Sequence, residues 1–319
     1  MSTDGVFKAT PTERAWLQEF THEMGACRLE GSAVERHYVD AVRTSLASNG
    51  LLHRLRIACQ QNLSTDREAM GYLLVDQMLP DPQNESQFTR AATILASLLG
   101  SPFHMSRKQA LWEIIAVDFS KQPYRFGGVG HNPLHIDGVN TTHPPDCLIL
   151  LCRRDDPAGG GGSLVSNLQQ AVEELEETDR GYLQQAIFEE GEFYDLEGVG
   201  REYRPFPVLS RFPDGIWRVR VTGKMLPGMP SCPAKDVLER LQAILEKNQV
   251  VLQLRPGQAL VVNQLLNAHG RLPLGEGQER IPSSERRDFR QGFVRPDKGS
   301  FIPPYRHIEP LPLSFNMAG

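Results

Sequence analysis

The sequence predicts a mainly β fold in which a helical N-terminal layer precedes an antiparallel β-sandwich or jelly roll. The first hundred residues carry apolar side chains at helical spacing, whereas the chain from residue 111 onward carries short runs with strand character. The 28 glycines and 23 prolines are spread along the chain, which is typical of many strands joined by turns. We expect a single domain over residues 1–319, with a mostly helical layer at 1–110, a jelly-roll core with helical insertions at 111–300 and a C-terminal tail at 301–319.

The N-terminal layer combines three predicted helices with one short strand. Three segments carry apolar residues at helical spacing: Thr12–Met24, Ala33–Ala47 and Gln87–Leu99. Gly100 and Pro102 follow the last segment and predict the end of its helix. The short apolar run Tyr72–Val75 predicts a strand between the second and third helices.

The core is predicted to contain seven strands and two inserted helices. The strands are Leu111–Val117, Leu148–Cys152, Ser163–Ser166, Ile216–Val221, Val250–Leu254, Ala259–Asn263 and Phe289–Val294. The inserted helices are Val172–Glu189 and Ala234–Lys247. Between two strands, the segment Arg255–Gln258 has Pro256 at its first central position, which predicts a hairpin turn.

Composition and charge argue against several classes of protein. Lys and Arg total 34 against 39 for Asp and Glu, so the net charge of −5 disfavours a nucleic-acid binder. No apolar run reaches the ~20 residues that a bilayer-spanning helix needs, and the polar N-terminus has no apolar secretory segment. Five cysteines without a CxxC pair indicate reduced thiols, so we expect a cytoplasmic protein with no membrane partner.

The segment 131–138 carries the strongest chemical signal in the chain. His135 and Asp137 are two residues apart, so their side chains project to the same face at the end of a strand. His269, which follows the predicted strand Ala259–Asn263, is the best third metal ligand. Two imidazoles and one carboxylate form the facial triad of non-haem Fe(II) oxygenases, which leaves three coordination positions open. A lone HxD pair also arises by chance, so this prediction depends on the distal histidine.

Two further motifs indicate a site for an anionic ligand. Arg286 and Arg290 are four residues apart and point the same way if they lie in a strand, where a guanidinium binds a carboxylate in a bidentate manner. The alternative is a solvated basic edge strand. The glycine run 159–162 is not a nucleotide-binding loop because no lysine follows it, but Ser163 offers a hydroxyl at the start of the next strand.

The order of these motifs resembles the Fe(II)- and 2-oxoglutarate-dependent dioxygenase superfamily, and within it the taurine dioxygenase and clavaminate synthase group. The resemblance covers residues 70 to 295, approximately, and consists of HxD, PPxC, GGGSLxS, NxHGR and RxxxR. In that family the HxD pair and the distal histidine bind iron, which implies that His135, Asp137 and His269 are the catalytic metal ligands. The resemblance also implies a double-stranded β-helix core, the cupin-like form of the jelly roll.

The resemblance further implies that Fe(II), 2-oxoglutarate as cosubstrate, and O2 take part in the reaction. Ser163 matches the hydroxyl that binds the distal carboxylate of 2-oxoglutarate, and Arg290, with Arg286 beside it, matches the arginine that clamps the same carboxylate. Arg287 stays an alternative, because the stretch after His269 is longer than the family pattern. The carboxylate of Asp137 argues against the halogenating members, which lack it.

The implied activity is oxidation of a small molecule, with 2-oxoglutarate decarboxylated to succinate and CO2. The triplet at 269–271 resembles the clavaminate synthase and arginine hydroxylase branch. We therefore expect hydroxylation of an unactivated C–H bond in an amino-acid-derived or cyclic-peptide-derived metabolite, in natural-product pathways such as antibiotic biosynthesis. Four polar residues near the HxD pair are predicted to contact the substrate: His131, Asn132, Asn140 and Thr142.

Alternative functions remain open from the sequence. The same chemistry could act on a sulfonate or another scavenged small acid, and it could produce a desaturation or an epoxide instead of an alcohol. Outside the oxygenases, two histidines and an aspartate also suit a zinc hydrolase. An inactive cupin-type binding protein is the remaining alternative.

Overall fold

The computed structural model describes residues 5–47, 52–66, 68–105, 110–141, 144–189, 205–212 and 215–305. The helices are α1 (Pro11–Met24), α2 (Arg36–Ala47), α3 (His53–Leu63), α4 (Glu85–Leu99), α5 (Leu168–Glu173), α6 (Glu177–Leu183) and α7 (Pro233–Lys247). Two 3-10 helices are Gly223–Gly228 and Gln278–Arg280. None of the helices in these ranges has the length and apolar character of a membrane span.

The strands form two main sheets and one separate hairpin. They are β1 (Val6–Lys8), β2 (Leu29–Glu30), β3 (Ala33–Val34), β4 (Tyr72–Asp76), β5 (Ser101–Phe103), β6 (Glu113–Ala116), β7 (Asn132–His135), β8 (Cys147–Arg154), β9 (Ser163–Asn167), β10 (Leu209–Arg211), β11 (Trp217–Val219), β12 (Val250–Leu252), β13 (Ala259–Asn263), β14 (Asn267–Arg271) and β15 (Asp288–Arg295). The larger sheet has the order β1-β4-β13-β8-β15-β5-β3-β2, with β6 also paired to β15. The smaller sheet has the order β12-β9-β14-β7, and β10 pairs with β11 alone.

The two sheets pack face to face around an inner apolar core. Side chains of β8, β13 and β15 from the larger sheet meet Val165 of β9 in this inner core. The outer face of the larger sheet packs on α1, α2, α3 and α4, and the outer face of the smaller sheet packs on α5, α6 and α7. This arrangement is the predicted mainly β jelly roll with a helical N-terminal layer, and the fold class is confirmed.

The N-terminal residues contribute strands as well as helices to the fold. β1, β4 and β5 all pair into the larger sheet, so this sheet contains strands from both sides of residue 110. The helix predicted from Ala33 begins instead at Arg36, because Ala33 and Val34 form β3. The helix α3 was not predicted, although its buried Leu55, Cys59 and Leu63 are spaced four residues apart. The single-domain division of the whole chain stays a prediction.

Two predicted local features had different outcomes. The turn at Arg255–Gln258 is present, because Gln258 N–H donates to the Arg255 carbonyl at 3.0 Å and Gly257 takes a φ of 86°. The predicted hairpin is wrong, because β12 belongs to the smaller sheet and β13 to the larger sheet. The long helix predicted over Val172–Glu189 is wrong, since α5 and α6 are separate helices and α6 ends at Leu183. Arg180 donates to the carbonyls of Val172 and Leu175. These hydrogen bonds pair carbonyl groups that have no partner within the helix where α5 ends.

Candidate active site

Two histidines meet on the inner face of the smaller sheet. β7 and β14 are antiparallel neighbours, and their register places His135 opposite His269. Leu134 and Ala268 belong to the outer core, so the adjacent histidines point the other way, between the two sheets. Their ring centroids are 4.3 Å apart. Strand pairing therefore brings together two residues that are far apart in the sequence.

Asp137 completes a group of three possible metal ligands. It lies two residues beyond His135, with Oδ1 at 4.0 Å from His135 Nε2 and Oδ2 at 3.4 Å from His269 Nε2. One ligand atom from each of the three residues lies within 4.8 Å of the other two. A first-row divalent cation takes nitrogen and oxygen ligands at about 2 Å, so one ion can bind all three.

The protonation states suit metal binding. His135 Nδ1 donates to the Pro133 carbonyl at 2.7 Å, so Nε2 carries the lone pair that faces Asp137. Burial lowers the pKa of His135, and burial followed by the charge of Lys224 lowers the pKa of His269 to about 3. Burial raises the pKa of Asp137 to about 6, although Lys224 opposes this rise. At pH 7 the group therefore offers two neutral imidazoles and one carboxylate.

Two glutamines from other elements hold Asp137. Gln264, in the turn after β13, accepts the Asp137 backbone N–H at 2.7 Å and donates to the Pro145 carbonyl at 3.1 Å. Gln291 of β15 hydrogen-bonds the Asp137 side chain. Asp137 Oδ2 nevertheless lacks a hydrogen-bond partner among the described residues, although it is buried. A buried carboxylate oxygen in this position fits a cation, so the residues present match an iron triad.

A second polar group lies next to these ligands on the same inner face. Ser163 of β9 pairs with Arg271 of β14, and Arg271 is two residues beyond His269. Ser163 and Val165 alternate with Leu164, which faces the outer core, so Ser163 faces inward. Ser163 is only 2% exposed. Arg271 donates to the carbonyls of Gly128 and Gly130 at 2.7 and 2.8 Å.

Arg287 adds a second guanidinium to this region. Its guanidinium carbon lies 3.6 Å from the centroid of the Phe289 ring, which belongs to the inner core. The glycine run gives it room, because a Cβ at Gly161 would lie 3.4 Å from Arg287 Cδ and Nε. Among the described residues, Arg287 Nε is buried without a hydrogen-bond partner. Burial, and then the nearby charge of Arg271, lower the pKa of Arg287 to about 9. Two buried cations that repel each other favour an anionic ligand.

A model of the taurine catabolism dioxygenase TauD, TfdA family matches residues 65–283. The match covers more than half of the chain and includes His135, Asp137 and His269. The chain belongs to this family. It is therefore an Fe(II)- and 2-oxoglutarate-dependent dioxygenase, and the predicted resemblance is confirmed.

Solved structures show the same fold as this TauD-family chain. An asparagine oxygenase in complex with Fe(II), 2S,3S-3-hydroxyasparagine and succinate is 19% identical with a TM-score of 0.72, over 94% of this chain and 99% of that chain. The non-haem iron oxygenase OrfP with Fe and alpha-ketoglutaric acid is 18% identical with a TM-score of 0.66, over 93% and 98%. OrfP with Fe, succinate and (3S)-hydroxy-L-Arg is 17% identical with a TM-score of 0.65, over 92% and 94%. No curated protein gives a significant match.

Arg286 and Arg290 do not lie beside the metal ligands, so the positions predicted for them are wrong. Arg290 lies on the outer face of β15, where it donates to Glu85 at 2.6 Å and also binds Asp288. Arg286 precedes β15 and donates to the Ile281 carbonyl at 2.8 Å. The prediction assumed that both lie in one strand, whereas β15 begins at Asp288 and its alternation turns Phe289 inward and Arg290 outward.

The four residues predicted to contact substrate have different positions. Asn132 lies in β7 opposite Arg271, and Asn140 lies in the turn that begins at Gly138. Within the described ranges, the side-chain oxygens of both asparagines are buried without a hydrogen-bond partner. His131 is partly buried just before β7, and Thr142 lies outside the described residues. Their roles with substrate stay predictions.

Sequence reasoning missed four residues around this site. Gln264 and Gln291 hold Asp137, and the charge of Lys224 acts on all three metal ligands. Glu113 of β6 pairs with Gln291, and burial followed by the charge of Asp137 raises the pKa of Glu113 to about 7. Gln291 had a signal in the sequence, because it alternates with Phe289 and Phe293 along one strand. The other three lie in no motif.

Proposed function

We propose that this dioxygenase hydroxylates an unactivated C–H bond of a small metabolite derived from an amino acid or a cyclic peptide, in natural-product biosynthesis. The observation that carries the proposal is the convergence of His135, Asp137 and His269 beside buried guanidinium groups. The similar asparagine oxygenase and OrfP structures hold hydroxylated amino acids, which supports this substrate class. With iron bound by His135, Asp137 and His269, O2 would be the oxidant both of 2-oxoglutarate, which becomes succinate and CO2, and of the substrate C–H bond.

The protein residues hold the metal ligands in a fixed geometry. The hydrogen bond from His135 Nδ1 to Pro133 sets the ring orientation, and Gln264 and Gln291 hold Asp137 from two other elements. Such supporting contacts orient metal ligands and keep them from rearranging during the reaction. Burial between the two sheets keeps bulk water away from the reacting groups.

The proposal assigns the distal carboxylate of 2-oxoglutarate to Arg287, Arg271 and Ser163. Two residues along β14 separate His269 from Arg271, a rise of about 6.6 Å, which suits a five-carbon diacid that binds the metal with its other end. Arg287 replaces Arg290 as the main clamp, because Arg290 is already bound to Glu85 and Asp288. A desolvated guanidinium binds a carboxylate strongly through charge-assisted hydrogen bonds.

The first experiment tests the metal ligands through 2-oxoglutarate turnover. We expect His135→Ala and Asp137→Ala to abolish iron-dependent succinate release while circular dichroism shows an intact fold. His37→Ala is the matched control, because this histidine on α2 is 79% exposed and its Nε2 lies 3.2 Å from Oε2 of Glu35. Succinate release at the wild-type rate in either ligand variant contradicts the assignment.

The second experiment identifies the substrate class and the reaction type. Succinate release in the presence of Fe(II) and ascorbate is compared for amino acids, cyclic dipeptides and sulfonates. Mass spectrometry of the product separates a gain of one oxygen from a loss of two hydrogens. We expect an amino-acid-derived compound to exceed the uncoupled background and to gain one oxygen. Stimulation by sulfonates alone contradicts the proposed substrate class.

A further inference from the structure

A buried carboxylate binds the glycine run 159–162 and a second segment of the chain. Asp156 lies two residues beyond the end of β8 and is only 7% exposed. Its Oδ1 accepts the Ala158 backbone N–H at 3.1 Å and the Gln278 side-chain amide at 2.7 Å. Its Oδ2 accepts the backbone N–H groups of Gly160 at 3.1 Å and Gly275 at 2.7 Å. One carboxylate therefore joins the glycine run to the segment 273–278, which follows β14.

Backbone hydrogen bonds hold the same two segments together. Gly161 N–H donates to the Pro273 carbonyl at 2.8 Å, and Leu272 N–H donates to the Gly162 carbonyl at 2.9 Å. These contacts extend the pairing of β9 with β14 beyond the ends of both strands. The position of the glycine run is therefore set by the Asp156 carboxylate and by its backbone contacts with the chain after β14.

The glycine run in turn packs against the proposed clamp. A Cβ at Gly161 would lie 2.7 Å from Leu274 Cδ2 and 3.4 Å from Arg287 Cδ and Nε, so the Gly161 backbone fills the space between these side chains. The run ends at Ser163, whose hydroxyl is proposed to bind the same carboxylate as Arg287. A shift of the run would therefore displace two groups that are assigned to the distal carboxylate of 2-oxoglutarate.

Asp156 acts on the nearby arginines without binding them. Burial opposes its ionisation, but the hydrogen bonds from Gly275, Gln278 and two further N–H groups hold the pKa of Asp156 below its usual value. Among the described residues, these donors are all neutral. Burial lowers the pKa of Arg271 and of Arg287, and the charge of Asp156 opposes both decreases. The guanidinium groups thus stay protonated, and their donors are not taken by this carboxylate.

Resting on the proposed function, we propose that Asp156 is a positioning residue for the cosubstrate. By holding the glycine run against the segment 273–278, it keeps Arg287 and Ser163 in the geometry that binds the distal carboxylate of 2-oxoglutarate. The metal binds the other end of the cosubstrate. A 2-oxo acid without a distal carboxylate should therefore not depend on Asp156.

The test compares 2-oxoglutarate with 2-oxopentanoate, which has the same chain length but no distal carboxylate. Each is titrated anaerobically into the protein with Fe(II), and the visible charge-transfer band of the Fe(II) and 2-oxo acid complex gives its Kd. We expect Asp156→Ala to raise the Kd for 2-oxoglutarate at least about 10-fold and to leave the Kd for 2-oxopentanoate within about twofold of wild type. Loss of the negative charge alone would strengthen binding of the diacid, so the sign of the change separates positioning from electrostatics.

Two results in folded Asp156→Ala overturn the proposal. One is an unchanged or lower Kd for 2-oxoglutarate, and the other is an equal rise in Kd for both 2-oxo acids. Asp155→Ala is the matched control, because Asp155 is the exposed neighbour of Asp156 and both Kd values should stay at the wild-type level.

Milder variants keep the test decisive if Asp156→Ala does not fold. Asp156→Asn keeps one acceptor oxygen and should raise the Kd for 2-oxoglutarate by less than the alanine variant does. Gln278→Met removes one donor to Asp156 and should shift the Kd in the same direction. A wild-type ratio of the two Kd values in both milder variants overturns the proposal.

Arg287→Ala is titrated in parallel to separate this inference from the proposed function. An unchanged ratio of the two Kd values in Arg287→Ala rejects the proposed clamp, and the role of Asp156 falls with it. A changed ratio in Arg287→Ala together with a wild-type ratio in Asp156→Ala rejects only the role of Asp156.

Discussion

Arg287 and Arg290 lie three residues apart, yet they occupy opposite sides of the larger sheet. Arg290 faces α4, where Glu85 and Asp288 bind its guanidinium. Arg287 faces the inner core, where the ring of Phe289 and the charge of Arg271 surround it. The protein itself supplies carboxylate partners on the outer face. On the inner face, the proposed partner of Arg287 is a carboxylate of 2-oxoglutarate.

The two arginines differ in their expected roles. Arg290 on the outer face stabilises the fold, whereas Arg287 on the inner face is proposed to bind the cosubstrate. A buried guanidinium that is bound by protein carboxylates stabilises the fold and has no donors left for a cosubstrate. A buried guanidinium beside another cation is unfavourable until an anion binds. The alternation of side chains along β15 decides which arginine has which environment. The residue type alone therefore does not identify the clamp.

The largest expected effect is on stability, from Arg290→Ala. This change removes the partner of Asp288 and Glu85 and should lower the free energy of unfolding by about 3 kcal/mol. Arg153 still binds Asp288 at 2.8 Å, which limits the loss. Urea denaturation measures the change, and the affinity for 2-oxoglutarate should stay within about twofold of wild type. A large loss of that affinity in the folded variant would return the clamp to Arg290.

The next effect is on cosubstrate affinity, from Arg287→Ala. Loss of a charge-assisted contact costs about 1.5–3 kcal/mol, so the Kd for 2-oxoglutarate should rise roughly 10- to 150-fold. Titration of the charge-transfer band measures this change. Arg287→Lys should give an intermediate Kd, because an ammonium keeps the charge but loses the bidentate geometry. A wild-type Kd for 2-oxoglutarate in Arg287→Ala would contradict the proposed role of Arg287 as the clamp.

A smaller effect is expected from Gln264→Met, which probes the support of Asp137. The variant removes the acceptor of the Asp137 backbone N–H and should weaken metal binding by about 10- to 100-fold. Gln264→Glu keeps an acceptor and should restore part of the affinity. Isothermal titration calorimetry with the metal ion measures the metal affinity of each variant. Equal metal affinity in Gln264→Met and wild type would show that Gln264 acts only in packing.

The smallest effect concerns Glu85, on the outer face. The hydrogen bond from Arg290 lowers the pKa of Glu85 below its ordinary value of 4.5. Its contribution to stability is therefore present above pH 4.5 and is lost as pH falls through the lower folded value. Glu85→Gln should cost less than about 1 kcal/mol at pH 7, and the difference from wild type should vanish in acid. In the Arg290→Ala background the cost should be smaller but still present, because Arg153 still lies 3.3 Å from Glu85.

The grouping of His135, Asp137 and His269 was predictable from the sequence, and their role as metal ligands stays a prediction. The spacing of His135 and Asp137 sets a common direction, and His269 belongs to a motif order that few families share. The role of each arginine is untested, but the position predicted for Arg290 beside the metal ligands was wrong for a physical reason. It relied on four-residue spacing, although Phe289 and Phe293 already indicate that Arg287 and Gln291 face inward.

Other residues of the site depend on tertiary contacts that no local pattern encodes. Gln264 reaches Asp137 only because β13 and β7 end at the same place, and these residues are 127 positions apart. The backbone of Lys224 lies near β7 because Thr222, two residues earlier, forms a bridge with His135. Short elements such as β1, β2 and β3 have too few residues to show a period. The elements α1, α4, α7, β8 and β15 are longer, and each was predicted within about three residues of its observed ends because its pattern is repeated.

The glutamine contacts of Asp137 have a consequence for the assembly of the molecule. Both histidines come from the smaller sheet, but Gln264 and Gln291 come from the end of β13 and from β15, which belong to the larger sheet. The metal ligands therefore adopt their geometry only when the two sheets are docked in register. Any sliding of one sheet over the other disturbs Asp137 first. We therefore expect metal binding to require completed docking of the two sheets.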